Sequence, residues 1–118
     1  MSDNLNKEQE EIYNAFNSLV NMQPKELQEW LKTEKSKSVG DSPDGGESTG
    51  HESGRRIVKI KRTKKADLTE DDFDHMSKVI GYIKRHTAQR PQGDVSETNW
   101  CYSLKNWGFD PTKNQSEN

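Results

Sequence analysis

Large aliphatic residues are scarce in this chain. Leu, Ile, Val and Phe together number 19 of 118 residues, and hydrophobic residues make up 27% against 32% charged. Compositions this lean are shared with disordered chains, which excludes an extensive core. Net charge is only −2, however, and three Trp and three Tyr are at hand. The balance predicts a small core with long polar margins, in a length that suits one domain. Cysteine is nearly absent: Cys101 stands alone, cannot form an internal disulfide, and suits a reducing compartment. No apolar run approaches the roughly 20 residues of a membrane helix, so no membrane partner is expected. The acidic opening MSDNLNKEQEE lacks the charge and apolar core of a signal peptide. These absences together predict a soluble intracellular protein.

The patterns that carry catalysis are missing as well. His51, His75 and His86 stand at none of the Cys/His or His/carboxylate spacings of a metal site. Ser48, Thr49 and Gly50 suggest a phosphate loop, but the G-x-x-x-x-G-K-[ST] pattern is not there. Asp71, Asp72 and Asp74 fall in the first turn of a predicted helix, where the dipole favours carboxylates for structural reasons. Cys101, between Trp100 and Tyr102, reads as a buried thiol and not as a nucleophile. The expectation is a non-enzymatic protein with no cofactor, no metal and no small-molecule substrate.

What is present is a basic centre. Residues 55–65 read RRIVKIKRTKK, with Arg55, Arg56, Lys59, Lys61, Arg62, Lys64 and Lys65 giving seven cations in eleven positions. Residues 1–50 carry five Lys against ten acids, residues 51–90 eleven Lys and Arg against six, and residues 91–118 two against four. The near-neutral total therefore hides a positive middle between acidic ends. No acid lies between Glu52 and Asp67, but five follow from Asp67 to Asp74. Those acids offer an internal way of neutralising the cations.

Periodicity places the helices. Ile12, Phe16 and Leu19 define one over about 7–20, with Glu8, Glu10 and Glu11 in its first turn. A second begins at Pro24, suited to a first helical position, and carries Leu27, Trp30 and Leu31. Gln23 is a poor cap for it. KSKSVGDSPDGGEST, residues 35–49, has no period and reads as a flexible Gly/Ser-rich loop.

Ser48 or Thr49 can cap a basic helix over about 52–64, with Ile57 and Ile60 inward and Gly54 weakening its first turn. Arg55, Arg56, Lys59 and Arg62 then fall outward. Lys61, Lys64 and Lys65 sit at its C-terminal end, where they also suit the helix dipole. The strongest signal is LTEDDFDHMSKVIGYIKRHTAQRP. Thr69 and Asp72 form a capping-box pattern, and Phe73, Met76, Ile80 and Ile83 keep helical spacing for about twenty residues. A last helix spans about 97–107 from Ser96, with Trp100, Leu104 and Trp107 on one face, and Gly108 ends it. The fold class is all-α: four to five short helices in one domain over 7–109, with disordered ends at 1–6 and 110–118.

Three stretches bear a family resemblance: PKELQEWLKTEKSKSVG, then GGESTGHESGRRIVKIKRTKKADLTEDDFDHMSKVIGYIKRHTAQRP, then WCYSLKNWGFDP. With their connections they resemble a group of small proteins catalogued as a domain of unknown function and frequently labelled DNA-binding protein. STGHESGRRIV before KKADLT, and YSLKNWG, are the most specific runs. Gln23 departs from the family's Thr or Ser, and Phe109 from its His. The resemblance implies DNA binding and supplies no catalytic residues. It also implies that STGHESG is an ordered helix start, whose N–H groups grip a phosphate with Arg55 and Arg56. The alternative is that Gly50 and Gly54 simply permit close helix packing.

The leading expectation is a DNA or other nucleic-acid binder in which Arg55, Arg56, Lys59, Lys61, Arg62, Lys64 and Lys65 contact phosphates, with Lys84 and Arg85 adding to them and Arg90 nearby. Phosphate contacts position without reading sequence, and no array of base-reading side chains is present. The aromatic residues are not interleaved with the basic ones along the chain, which argues against a single-strand stacking platform. The alternative is an interaction module that docks an acidic protein partner through the same helix, aided by the aromatic C-terminus. Location follows as cytoplasmic or nucleoid-associated, or nuclear in a eukaryote, where KIKRTKK matches a nuclear address.

Overall fold

The computed structural model describes residues 5–39 and 49–113. The described residues form six α-helices and one short 3-10 turn, with no strand among them. Helix α1 is Lys7–Leu19, α2 Pro24–Leu31, α3 Glu34–Ser38, α4 Thr49–Lys61, α5 Glu70–Thr87 and α6 Asn99–Asn106. The 3-10 turn, Lys65–Asp67, joins α4 to α5.

Local chemistry sets most of the ends. Asn6 caps α1, its Oδ1 accepting from the Gln9 N–H at 2.8 Å. Thr69 Oγ1 accepts from the Asp72 N–H at 3.2 Å while Asp72 Oδ2 accepts from the Thr69 N–H at 3.0 Å, a reciprocal cap that satisfies two orphan donors. At α2 the Glu26 carboxylate accepts from the Gln23 N–H at 3.1 Å. That bond offsets the poor capping side chain. Gly108 takes φ 85°, and Phe109 N–H returns to the Leu104 carbonyl at 3.0 Å, a left-handed stop that glycine adopts without a Cβ penalty.

The core joins all the long helices. Phe16 of α1 meets α5 through Phe73, Met76, Val79 and Ile83, and Leu27 and Leu31 of α2 meet Ile57, Val58 and Ile60 of α4. Leu104 and Trp107 seal the centre from α6, as the spacing of the aromatic C-terminus predicts. Trp100 is only partly buried.

Three sequence expectations need correction. The loop read at 35–49 contains α3, which starts at the Thr33 cap, and Ser36 and Val39 are buried; residues 40–48 of that loop lie outside the described residues. Helix α4 begins at Thr49, three residues before the predicted start, because Gly54 packs and does not fray. The last helix is capped by Thr98, not Ser96, with Thr98 Oγ1 accepting from the Cys101 N–H at 3.1 Å.

Near the chain ends, several described residues contact the rest of the fold. Leu5 packs on the core. Asp110 exchanges hydrogen bonds with Asn21, Asp110 N–H to Oδ1 at 2.8 Å and Asn21 Nδ2 to the Asp110 carbonyl at 3.1 Å. Lys113 Nζ reaches Glu26 Oε1 at 2.6 Å. Residues 110–113 are therefore fastened to the α1–α2 connection by polar pairs that no apolar pattern announces. Residues 1–4 and 114–118 of the predicted disordered ends lie outside the described residues.

Candidate nucleic-acid interface

Helix α4 has two unlike sides. Ser53, Gly54, Ile57, Val58 and Ile60 are buried, whereas Glu52, Arg55, Arg56 and Lys59 are exposed, as is Arg62 just beyond the last turn. Positions 52, 55, 56, 59 and 62 recur at the spacing of one helical face, so the inward isoleucines fix four cations outward. Gly54 allows that seating. A Cβ there would stand 2.6 Å from the Asn106 carbonyl and 2.7 Å from Leu31 Cδ2, so helix and partner approach as only glycine permits.

The seven cations of the stretch do not share one fate. Arg56 lies 3.8 Å from Asp72 Oδ1, with 43% of its side chain exposed, a long contact of the kind that contributes little. Lys61 leans back on α1: its Nζ donates to Asn17 Oδ1 at 3.1 Å and sits 5.9 Å from the Phe16 ring. Burial lowers its pKa. Lys65 does likewise, 3.1 Å from Glu10 Oε2 and 4.7 Å from the Tyr13 ring centre. Lys64 is exposed at the start of the 3-10 turn. Lys84 and Arg85 are exposed in the last turn of α5, twelve and thirteen residues beyond Asp72 and so about 18–20 Å along the axis. Arg90 lies over the Trp100 ring at 5.4 Å. The structure thus groups Arg55, Arg56, Lys59 and Arg62, turns Lys61 and Lys65 inward, and sets Lys84 and Arg85 apart.

Sequence reasoning did not single out Lys78. With Ser53, Arg56, His75 and Trp107 it lines a pit of about 160 Å³ where α4, α5 and the end of α6 meet. Ser53 Oγ and His75 Nε2 share a hydrogen bond of 2.9 Å. Burial, then the nearby Arg56 and Lys78 charges, lower the His75 pKa to about 4, against smaller opposing effects of Ser53 and Asp72. The imidazole is therefore neutral at pH 7, and a base this weak, beside a hydroxyl of 3% exposure, is a poor activator of a nucleophile. Ser53 and His75 satisfy each other as a polar pair at a helix seam. Burial likewise raises the Cys101 thiol pKa, as expected of an inert side chain.

From this pit a column of rings runs along α5 and α6. His75 stacks on Trp107 at 6.2 Å between centres, Trp107 on Tyr82 at 4.2 Å, Tyr82 on His86 at 4.9 Å and His86 on Trp100 at 6.1 Å. Trp100 Nε1–H donates to the His86 carbonyl at 2.7 Å. Within the column Trp107, Tyr82 and His86 each have two ring neighbours, and the end rings His75 and Trp100 have one. No group of His, Cys, Asp and Glu suited to a metal ion occurs among the described residues, and no helix there is long and apolar enough to cross a membrane.

No curated protein and no solved structure matches the chain. A family model does, over residues 15–105, which runs from α1 to the last turn of α6 and includes the whole outward face of α4. Its description names no ligand and no activity. By that match the chain belongs to the family described as "Protein of unknown function (DUF3140)".

Proposed function

We propose that the protein binds DNA or another nucleic acid without catalysis, gripping phosphates with Arg55, Arg56, Lys59 and Arg62. The observation that carries the reading is their common exposed face on α4, where Glu52 is the one acid. Arginines suit phosphate because the planar guanidinium donates in pairs. The net charge of −2 makes the attraction local to this face, since the molecule as a whole does not steer polyanions. Lys64 extends the face, while Lys61 and Lys65 support it by fixing α4 on α1. Lys84 and Arg85 are additional contacts only for a nucleic acid long enough to reach the far end of α5. Little sequence preference is expected, because these contacts touch no base edges. A cytoplasmic or nucleoid-associated location follows from this reading. The competing idea of an acidic protein partner loses one support, since Leu104 and Trp107 of the aromatic C-terminus are spent in the core.

Fluorescence anisotropy of a labelled duplex tests the proposal. Four phosphate contacts imply roughly a 100-fold loss of affinity between about 50 and 200 mM salt. Replacing Arg55, Arg56, Lys59 and Arg62 by Gln should abolish binding in a protein that keeps its helical circular dichroism. No binding at the lower salt by folded protein overturns the reading. Binding that ignores salt and follows C-terminal substitutions instead favours the protein partner.

A further inference from the structure

Between α2, α3 and α4 lies a second cavity, on the other edge of α4 from the Ser53–His75 pit. Its volume is about 490 Å³, within the range of sites that hold small organic ligands. Leu31 and Val58 form an apolar floor, and Lys32, Lys37, His51 and Arg55 stand around it. Among the described residues no acid lines this cavity. The frame is firm: His51 Nε2–H donates to the Leu31 carbonyl at 2.6 Å, tying α4 to α2. The buried Ser36 Oγ–H donates to Asn106 Oδ1 at 2.6 Å, tying α3 to α6.

We infer that this cavity binds a small organic phosphate monoester with an apolar body. The floor and the stems around it account for the body. Leu31 and Val58, 5% and 8% exposed, leave little surface of their own to cover, so the aliphatic stems of Gln28, Lys32, Lys37 and Arg55 supply most of the apolar contact. The surrounding cations account for the phosphate. A dianion meets one guanidinium and two ammonium groups, with Arg55 able to donate two parallel N–H bonds to it. Lys32 pairs with Glu29 at 3.6 Å, with both side chains more than half exposed, and such pairs yield readily to a better anion. Arg55 and His51 have further interactions inside the chain, so a ligand joins or displaces existing partners and affinity is modest. Among the described residues the lining contains no aromatic ring, which favours an alkyl or simple aryl group over a base that needs stacking. Sequence reasoning expected no small-molecule substrate because it found no catalytic or phosphate-loop pattern, and one wall of this cavity, α3, carries no apolar period.

The inference stands without the nucleic-acid reading, since it is tested in the absence of DNA. The full chain, labelled with nitrogen-15, is titrated with phenyl phosphate, and separately with inorganic phosphate and with phenol. Phenyl phosphate should give saturable amide shifts at Leu31, Lys37, His51, Arg55 and Val58, and each half-probe should bind about tenfold or more weakly. Arg55→Gln and Lys37→Gln should each weaken phenyl phosphate by about tenfold, the scale of one lost charge-assisted hydrogen bond. Lys78→Gln, outside the cavity, should leave it unchanged. Either exposed substitution alone suffices should the other disturb the spectrum. Absence of saturation by millimolar phenyl phosphate overturns the inference. So does inorganic phosphate binding equally well, or shifts centred on Lys59 and Arg62, which would mark simple ion pairing on the outer face.

Discussion

Along α4, Gly54 meets Leu31 and the Asn106 carbonyl too closely for any Cβ, while on the other side of the same helix Arg55, Arg56 and Lys59 are exposed. The same thirteen residues therefore answer to two kinds of selection. On the inner side, shape is specified to tenths of an ångström, and substitutions there should cost stability whatever they do to binding. On the outer side, only charge is specified, and substitutions should cost binding with hardly any change in stability. If the outer face had a structural purpose, that division would fail.

The inner side is tested most severely at Asn106, which is 1% exposed. Its Oδ1 accepts from Trp30 Nε1–H at 2.7 Å and from Ser36 Oγ–H at 2.6 Å, and its Nδ2 donates to the Ser36 carbonyl at 3.1 Å. Asn106→Ala strands those groups, each at about 1–3 kcal/mol when buried. A loss of about 3 kcal/mol in chemical denaturation is expected, led by detachment of α3. Asn106→Asp should cost a similar amount, since the Ser36 carbonyl loses its donor and a charge is left buried.

Gly54→Ala comes next. Helix propensity alone would favour alanine by about 1 kcal/mol, but the new methyl group falls 2.6 Å from backbone oxygen, so a net loss of about 2 kcal/mol is expected. Gly81 of α5 is the control. Its added Cβ would meet only the tip of the Arg85 side chain at 3.2 Å, which can move aside. Gly81→Ala should stabilise by about 0.5–1 kcal/mol, and a matching gain at Gly54 would show that the inner side is not tightly specified.

These two glycines also show what sequence can and cannot disclose. Local signals were readable: the Thr69 and Asp72 cap, the Phe73 to Ile83 spacing and the Gly108 stop each depend on residues within a turn or two. So was the outward direction of Arg56 and Lys59, because Ile57 and Ile60 fix the register. What was hidden depends on distant chain. Helix α3 has one apolar neighbour, Val39, and is held by Asn106, 70 residues beyond Ser36. Gly54 looked like a flaw because its partners, Leu31 and Asn106, belong to other helices. The inward turn of Lys61 and Lys65 required knowing that α1 lies alongside them. The Ser53–His75 pit joins residues 22 apart with Trp107, and no linear spacing encodes that meeting.

A smaller effect separates the seam of α4 and α5 by pH. The folded His75 pKa is about 4 against an ordinary 6.5, so between these values the unfolded chain binds more protons than the folded one. Its contribution is complete above about pH 6.5 and is lost as pH falls toward 4. Burial also lowers the His86 pKa, which acts in the same direction. Denaturation midpoints measured from pH 7 to pH 4 should fall less steeply for His75→Gln than for the parent. Equal slopes would mean that the imidazole is not held neutral against Trp107.

The smallest stability effects carry the sharpest contrast, in a paired experiment on two lysines of the same basic run. Lys65→Gln removes a bridge to Glu10 and a contact with the Tyr13 ring, together about 0.5–1 kcal/mol at a partly exposed site. It should lower stability by that amount and leave duplex affinity nearly unchanged. Lys59→Gln should do the reverse. It lies on the exposed face, where changes stay within about 0.5 kcal/mol, yet it should flatten the dependence of log affinity on log salt by about one unit. Both proteins lose one positive charge, so a general electrostatic effect would weaken binding equally in the two. Only a face-specific grip predicts that Lys59 matters and Lys65 does not, because Lys59 stands on the exposed face of α4 while Lys65, in the 3-10 turn beyond it, is turned against α1.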